Sequence, residues 1–249
     1  ILTANVHFMS STLPGSCTCH VHVLKSGKTT STIQASIYQN KKETIRSLAT
    51  CGNLTLASKT GPNLTNLSDA VPPILPPFSD CVRVDAGDNT PNSVRSRIHC
   101  FVKSKTAVQY KGCRLTKQDG SFDEATLLER EKAVRDKGAD YSGYMMFEDG
   151  HEIMLADSPI FLDAGVPPIL GAYVTGWVPS INWTVQYMHH PSKRNNKSST
   201  LLKFRFKTRR VTGGFLEEDG ELWDEDGNLV AVSRQLAMVG VSQASKGKL

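Results

Sequence analysis

The chain reads as an α+β protein of two similar halves, each built around an antiparallel meander, and three observations point that way. An apolar rhythm recurs: Val6, Phe8 and Met9 fall on Val185, Tyr187 and Met188, an offset of 179 residues, and "SIYQNKKETIRSLATCG" lies over "ELWDEDGNLVAVSRQLAMVG" at an offset near 185, placing Tyr38 on Trp223 and Thr50 on Gln235. Most of the remaining apolar runs alternate with period two, as strands do. Between the copies, "GPNLTNLSDAVPPILPPFSD" is rich in Pro, Asn and Ser, a composition that suits neither a central strand nor a helix.

Taken in order, the first half (1–60) predicts strands over Leu2–Met9, over Thr18–Lys25 with Ser31–Tyr38, and over Thr44–Thr50. A linker is expected over 61–92 and a second unit over 93–245. Inside that unit, "SFDEATLLEREKAVRDKG" predicts a helical insertion over 121–138, from a capping box of Ser121 with Glu124 to a Gly138 stop. "ADYSGYMMFEDG" predicts a strand ending in an Asp149-Gly150 turn. "DSPIFLDAGVPPIL" then offers Ser158 as N-cap, Pro159 at the first helical position and Pro167-Pro168 to end or kink the helix. Strands follow over Ile181–Met188, Leu201–Val211 then Gly220–Trp223, and Leu229–Val241, with an Asp226-Gly227 turn. A complete unit is therefore strand, helix and a meander that wraps the helix. Because the chain opens directly in strand pattern at Ile1, the first unit is expected to lack its N-terminal strand and helix.

Composition narrows the function. The 249 residues are 39% hydrophobic and 21% charged, ordinary values for one large or two small domains. No run approaches the 18 apolar residues of a membrane span. The net charge of +5 is spread along the chain, which favours anionic small molecules over nucleic acid as partners. Six cysteines show neither a CxxC pair nor zinc spacing and read as free thiols of a reducing compartment. In "CTCHVH", strand alternation sends Cys17 and Cys19 one way and His20 and His22 the other, so no metal site is expected. Five Asn-x-Ser/Thr matches stand without a recognisable signal peptide. The expected location is cytoplasmic; the ending "SKGKL" resembles a peroxisomal Ser-Lys-Leu signal with Gly in first place, which keeps that compartment as the alternative.

Gln235 raises the functional question. It lies within an otherwise apolar strand, and a buried amide costs a few kcal/mol unless it is paired. It is held either by backbone or for a ligand. The stretches "GYMMFEDG", "LADSPIFLDAGVPPILG", "GWVPSINWTVQY" and above all "GGFLEEDGELWDEDGNLVAVSRQLAMV", with "VHFMSSTLPG" and "VHVLKSGKTTSTIQASIYQ" in the first half, resemble the double-hotdog acyl-CoA thioesterases. The resemblance implies a tandem hotdog, each an antiparallel sheet wrapped around a central helix. It also implies a cofactor-free hydrolysis of acyl-CoA to free acid and CoA, and a homo-oligomer. Catalysis in that family uses a strand carboxylate, a threonine and a glutamine around the attacking water. Carried over by position, the glutamine is Gln235, the threonine Thr208, and the carboxylate position falls on Asn182.

An asparagine holds a water but takes no proton from it, so the base is sought elsewhere. Asp163, in "FLDAG" on the predicted helix, is the nearest carboxylate by motif. His189 and His190 read first as a loop entry, His7 as a satisfied core histidine and Asp157 as a helix cap. A thioester also needs donors for its oxyanion, which a helix N-terminus supplies. In "LLKFRFKTRR", Lys203, Arg205, Lys207 and Arg209 share one face, either solvated or set toward CoA phosphates, while Phe204, Phe206 and Thr208 share the inner one. The rival reading is a non-catalytic acyl-CoA or lipid-binding protein that has lost its carboxylate. A dehydratase would need a His placed beside a carboxylate, and the sequence offers no such pair.

Overall fold

The computed structural model describes residues 1–60, 71–84, 98–103, 139–164, 178–194 and 197–238. The first half gives β1 (Thr3–Phe8), β2 (Thr18–Lys25), β3 (Thr30–Gln39), β4 (Lys42–Gly52) and a short helix α1 (Leu54–Thr60), whose Leu56 N–H is capped by the Asn53 side chain at 2.8 Å. Then come β5 (Cys81–Val84), β6 (Ile98–Lys103), β7 (Ala139–Phe147), α2 (Ser158–Ala164), β8 (Ser180–Tyr187), and the two-residue strands β9 (Lys193–Arg194) and β10 (Lys197–Ser198). The chain closes with β11 (Leu202–Thr212), β12 (Phe215–Trp223) and β13 (Leu229–Met238). The expected 121–138 helix and the Pro167-Pro168 stop lie outside the described residues.

Eleven strands form one antiparallel sheet in the order β2-β3-β4-β1-β8-β13-β12-β11-β7-β6-β5. The order is mirrored about the junction of β1 with β8: each half runs outward through its last strand and its hairpin. At that junction Thr3 pairs with Gln186 and His7 with Asn182. The offset of 179 maps this pairing onto itself, with Asn5 opposite Thr184 as the fixed pair, so a pseudo-twofold axis passes between them. The second offset differs from expectation. Ala4 pairs with Ala49, and its counterpart Trp183 pairs with Gln235, so Gln235 matches Ala49, at an offset of 186 (235 − 49), and not Thr50. A slip of one residue reverses the face of a strand, so the correction matters for any comparison of the two halves.

The middle piece of each copy is a hairpin of two strands. In the second copy it turns at Gly213 and Gly214, both at positive φ (60° and 79°), and β12 starts five residues earlier than the expected Gly220. The β12–β13 turn closes on Gly227 at φ 84°, with the fully buried Asp224 accepting from the Asn228 and Ser192 N–H groups at 2.8 and 3.1 Å. Gly150, at φ 69°, ends β7 as expected. β5 falls inside the segment expected to be linker; it is one of the sheet's two edge strands and follows the Pro-rich stretch. Ser158 is itself helical (φ −50°, ψ −40°) rather than an N-cap, because a tighter helical turn over Leu155–Asp157 precedes it; there Asp157 accepts the Met154 N–H at 2.8 Å.

The core lies between α2 and the inner face of β7, β8 and β11 to β13. Phe161, Leu162, Tyr141, Met145, Phe204, Phe206 and Val185 are almost fully buried, and Phe161 meets Phe147 edge-on with ring centroids 4.8 Å apart. α2 approaches closely over Gly220. A Cβ there would stand 2.6 Å from Ser233 Oγ and 3.0 Å from both Leu162 Cδ2 and Phe206 Cε1. Gly220→Ala is expected to cost about 1 to 3 kcal/mol by overpacking; equilibrium urea unfolding that shows no loss would mean α2 is free to lift away.

Candidate functional site

Strand alternation decides which candidates can meet. On β13, Ala231, Ser233, Gln235 and Ala237 face α2, with Gln235 only half-buried, while Arg234, Leu236 and Met238 face outward. On β8, Trp183, Val185 and Tyr187 face α2. Gln235 pairs with Trp183 and Leu236 with Asn182. Asn182 is therefore on the opposite face of the sheet from Gln235. Its amide Nδ2 is spent at the twofold junction, donating to Asn5 Oδ1 at 3.0 Å and to the Val6 carbonyl at 3.2 Å, next to His7; Asn5 in turn donates to Thr184 Oγ1 at 3.0 Å. This is a clasp between the two halves, and His7 beside it is exposed rather than a core residue.

Thr208 does share the inner face, as its parity predicts, and is buried. It pairs with Glu218 on β12, and Glu218 pairs with Gln235 on β13. Thr208 and Gln235 thus stand two strands apart, about 10 Å, and do not hold one water between them. The hydroxyl that Gln235 meets is that of Ser180: Gln235 Nε2 donates to Ser180 Oγ at 2.5 Å. Simple alternation would turn Ser180 outward with Asn182. A β-bulge reverses it, because β13 advances from Leu236 to Ala237 while β8 goes from Asn182 to Ser180, leaving Ile181 unpaired.

The carboxylate missing from the Asn182 position is matched by two others. Asp163 lies in the last described turn of α2 with an exposed side chain. Glu218 lies beneath it, 4% exposed. Burial first, then the charge of Asp163 and that of Asp219, push the Glu218 carboxyl up to about 8. Sequence reading missed Glu218 because "EEDG" resembles a turn; carrying the alternation of Leu222 and Gly220 back along the strand would have placed Glu218 and Leu216 inside.

The two arginines of the outward basic row of β11 pair with carboxylates of β12. Arg205 pairs with Glu221 at 3.2 Å, Arg209 with Glu217 at 2.9 Å and with Asp219, and Arg234 joins Asp219 at 2.7 Å. An open groove of about 890 Å³ begins where α2 starts, lined by Ile153, Leu155, Pro159, Tyr187, His189 and His190 among others. Among the described residues no cluster of His, Cys, Asp or Glu could hold a metal ion, and no helix is long and apolar enough to cross a membrane.

Two protein-family models match the chain: an acyl-CoA thioesterase N-terminal domain over residues 1–52 and an acyl-CoA thioesterase C-terminal domain over residues 79–239. Among solved structures, the proposed thioesterase II of Thermobifida fusca YX is similar at 23% identity and a TM-score of 0.70, over 96% of this chain and 78% of that one. A hot-dog-fold protein of unknown function from Alicyclobacillus acidocaldarius is similar at 17% identity and 0.67, over 96% and 78%. The acyl-CoA thioesterase II TesB2 of Mycobacterium marinum is similar at 14% identity and 0.57, over 98% and 81%. At these identities the structures establish the tandem hotdog fold. No curated protein matches the chain.

Proposed function

This chain belongs to the acyl-CoA thioesterase family, whose reaction is thioester hydrolysis, and from that premise we propose that it cleaves acyl-CoA to the free acid and CoA. The observation that carries the reading is the pairing of Gln235 with Ser180 on the inner face, beside the helix that carries Asp163. An amide and a hydroxyl together can accept from and donate to one water, fixing its position and leaving a lone pair for attack. Asp163 takes the proton of that water as its oxygen bonds to the thioester carbon. Asn182 and Thr208 have no part in this set: one faces away, and the other stands two strands distant.

The groove at the start of α2 supports a chain-like substrate. Tyr187, on its wall, is four residues along β8 from Trp183, roughly 13 Å. That is within the length of an acyl chain or of the pantetheine arm of CoA, and most of the lining is apolar.

The test is release of CoA thiol across an acyl chain-length series. Gln235→Ala and Ser180→Ala are each expected to lower kcat by about 10², and the double variant to fall little further, since the two act on one water. Full multiplicative losses would place the two side chains on different tasks. Wild-type protein silent toward every acyl-CoA would sink the reading.

A further inference from the structure

Thr208, Glu218, Gln235 and Trp183 form a single row across β11, β12, β13 and β8, all facing α2. Three of the four carry a buried polar atom without a hydrogen-bond partner among the described residues: Thr208 Oγ1, Glu218 Oε2 and Trp183 Nε1. Such a row weakens the core unless something polar sits against it. Packing alone asks for nothing here that an apolar side chain of the same size would not supply better.

The surroundings of Glu218 fix its chemical form. Facing it, α2 presents Asp163, β11 presents Thr208 and β13 presents Gln235. The charges of Glu217, Asp219, Arg209 and Arg234 belong to the outer face, where they pair with one another. No cation among the described residues faces it, and burial beside Asp163 pushes its pKa up to about 8. Burial and the neighbouring carboxylate both favour its carboxylic acid form, which has an O–H to give.

A thioester site needs such a donor. The first turn of α2 does not serve: Pro159 lies by Tyr187 and His189, whereas Leu162 stands over Gly220, and Asp163 acts on Glu218 a turn further on. The helix start is thus at the far end from Gln235. We propose that Glu218 is the oxyanion donor of the site, its O–H bonded to the thioester carbonyl oxygen while the water held by Gln235 and Ser180 attacks the carbon. The inference rests on the hydrolytic reading above. Asp163 removes one proton from the water as the O–C bond forms, and the carbonyl electron pair moves onto the oxygen that Glu218 holds. The oxyanion then collapses, the C–S bond breaks with its pair on sulfur, and Asp163 returns the proton to that sulfur. The new carboxylic acid ionises into solvent, and Glu218 keeps its proton throughout.

The experiment is a pH profile of kcat on acyl-CoA for wild type, Glu218→Met, Glu218→Gln and Asp163→Asn, each checked for folding by its melting temperature. Glu218→Met is expected to lose about 10² to 10³ in kcat while melting no lower than wild type. Glu218→Gln keeps an N–H donor that does not ionise. It should retain most of the activity and escape the fall expected of wild type above about pH 8. Glu218→Met as active as wild type, or Glu218→Gln with the wild-type alkaline fall, overturns the proposal. If Asp163→Asn is inactive while Glu218→Met is active, this inference alone fails; if Asp163→Asn is active, the assignment of the base fails instead; a silent wild type removes both.

Discussion

Asp163→Asn is expected to lower kcat on acyl-CoA by about 10² to 10⁴, because the substitution removes the general base. The side chain is exposed in the last described turn of α2, so the isosteric amide meets no packing penalty. Two companion readings separate this from a general loss. Asn182→Asp, on the opposite face of the sheet, should neither rescue Asp163→Asn nor raise wild-type activity. Asp163→Asn should also move the Glu218 carboxyl down toward the ordinary range, since the Asp163 charge is the second largest cause of its displacement. Release of CoA thiol measures the first, and a carboxyl-resolved NMR titration the second. Rescue by Asn182→Asp would require the sheet register described above to be different.

The second large effect is on stability. Glu218 holds its proton more tightly folded, at about 8, than unfolded, at 4.5. Below 4.5 both states are protonated and the side chain carries no ionic penalty. As pH rises from 4.5 the unfolded chain ionises while the folded one does not, so folding weakens by roughly 1.4 kcal/mol per pH unit. The loss ends near pH 8, where the folded state ionises too. Urea unfolding at pH 5 and pH 8 should show this slope in wild type and its disappearance in Glu218→Met, which should be the more stable of the two at pH 8. Equal slopes would mean that water reaches the carboxyl.

Much of this could be read from residue order, and the rest was hidden for identifiable reasons. The alternation of "KFRFKT" placed Phe204, Phe206 and Thr208 inside and the cations outside, because a two-sided strand leaves that signature wherever one face is dry. The shared rhythm of β1 and β8 was legible because both lie on one axis and repeat the same pairing. Ser180 was not legible. Its orientation depends on a bulge, whose extra residue shifts the alternation by one at a place that no residue type marks. Glu218 was masked by composition, since acidic residues next to Gly resemble a turn until the buried Leu216 beyond them shows that the strand continues. Asn182 had the right strand but the wrong face, a distinction that a positional carry-over does not make.

The seam between β1 and β8 has a kinetic consequence. On one side β1 pairs with β4, some 47 residues away at Thr3–Thr50; on the other it pairs with β8, 183 residues away at Thr3–Gln186. Closing the longer loop costs more entropy and waits on synthesis of the second half, so each half can form with one edge of its inner strand still unpaired. Until the seam forms, β1 and β8 are open strand edges at the middle of the future sheet. An edge of that kind is also a template for the matching strand of another nascent chain, so this junction is where assembly and mispairing compete.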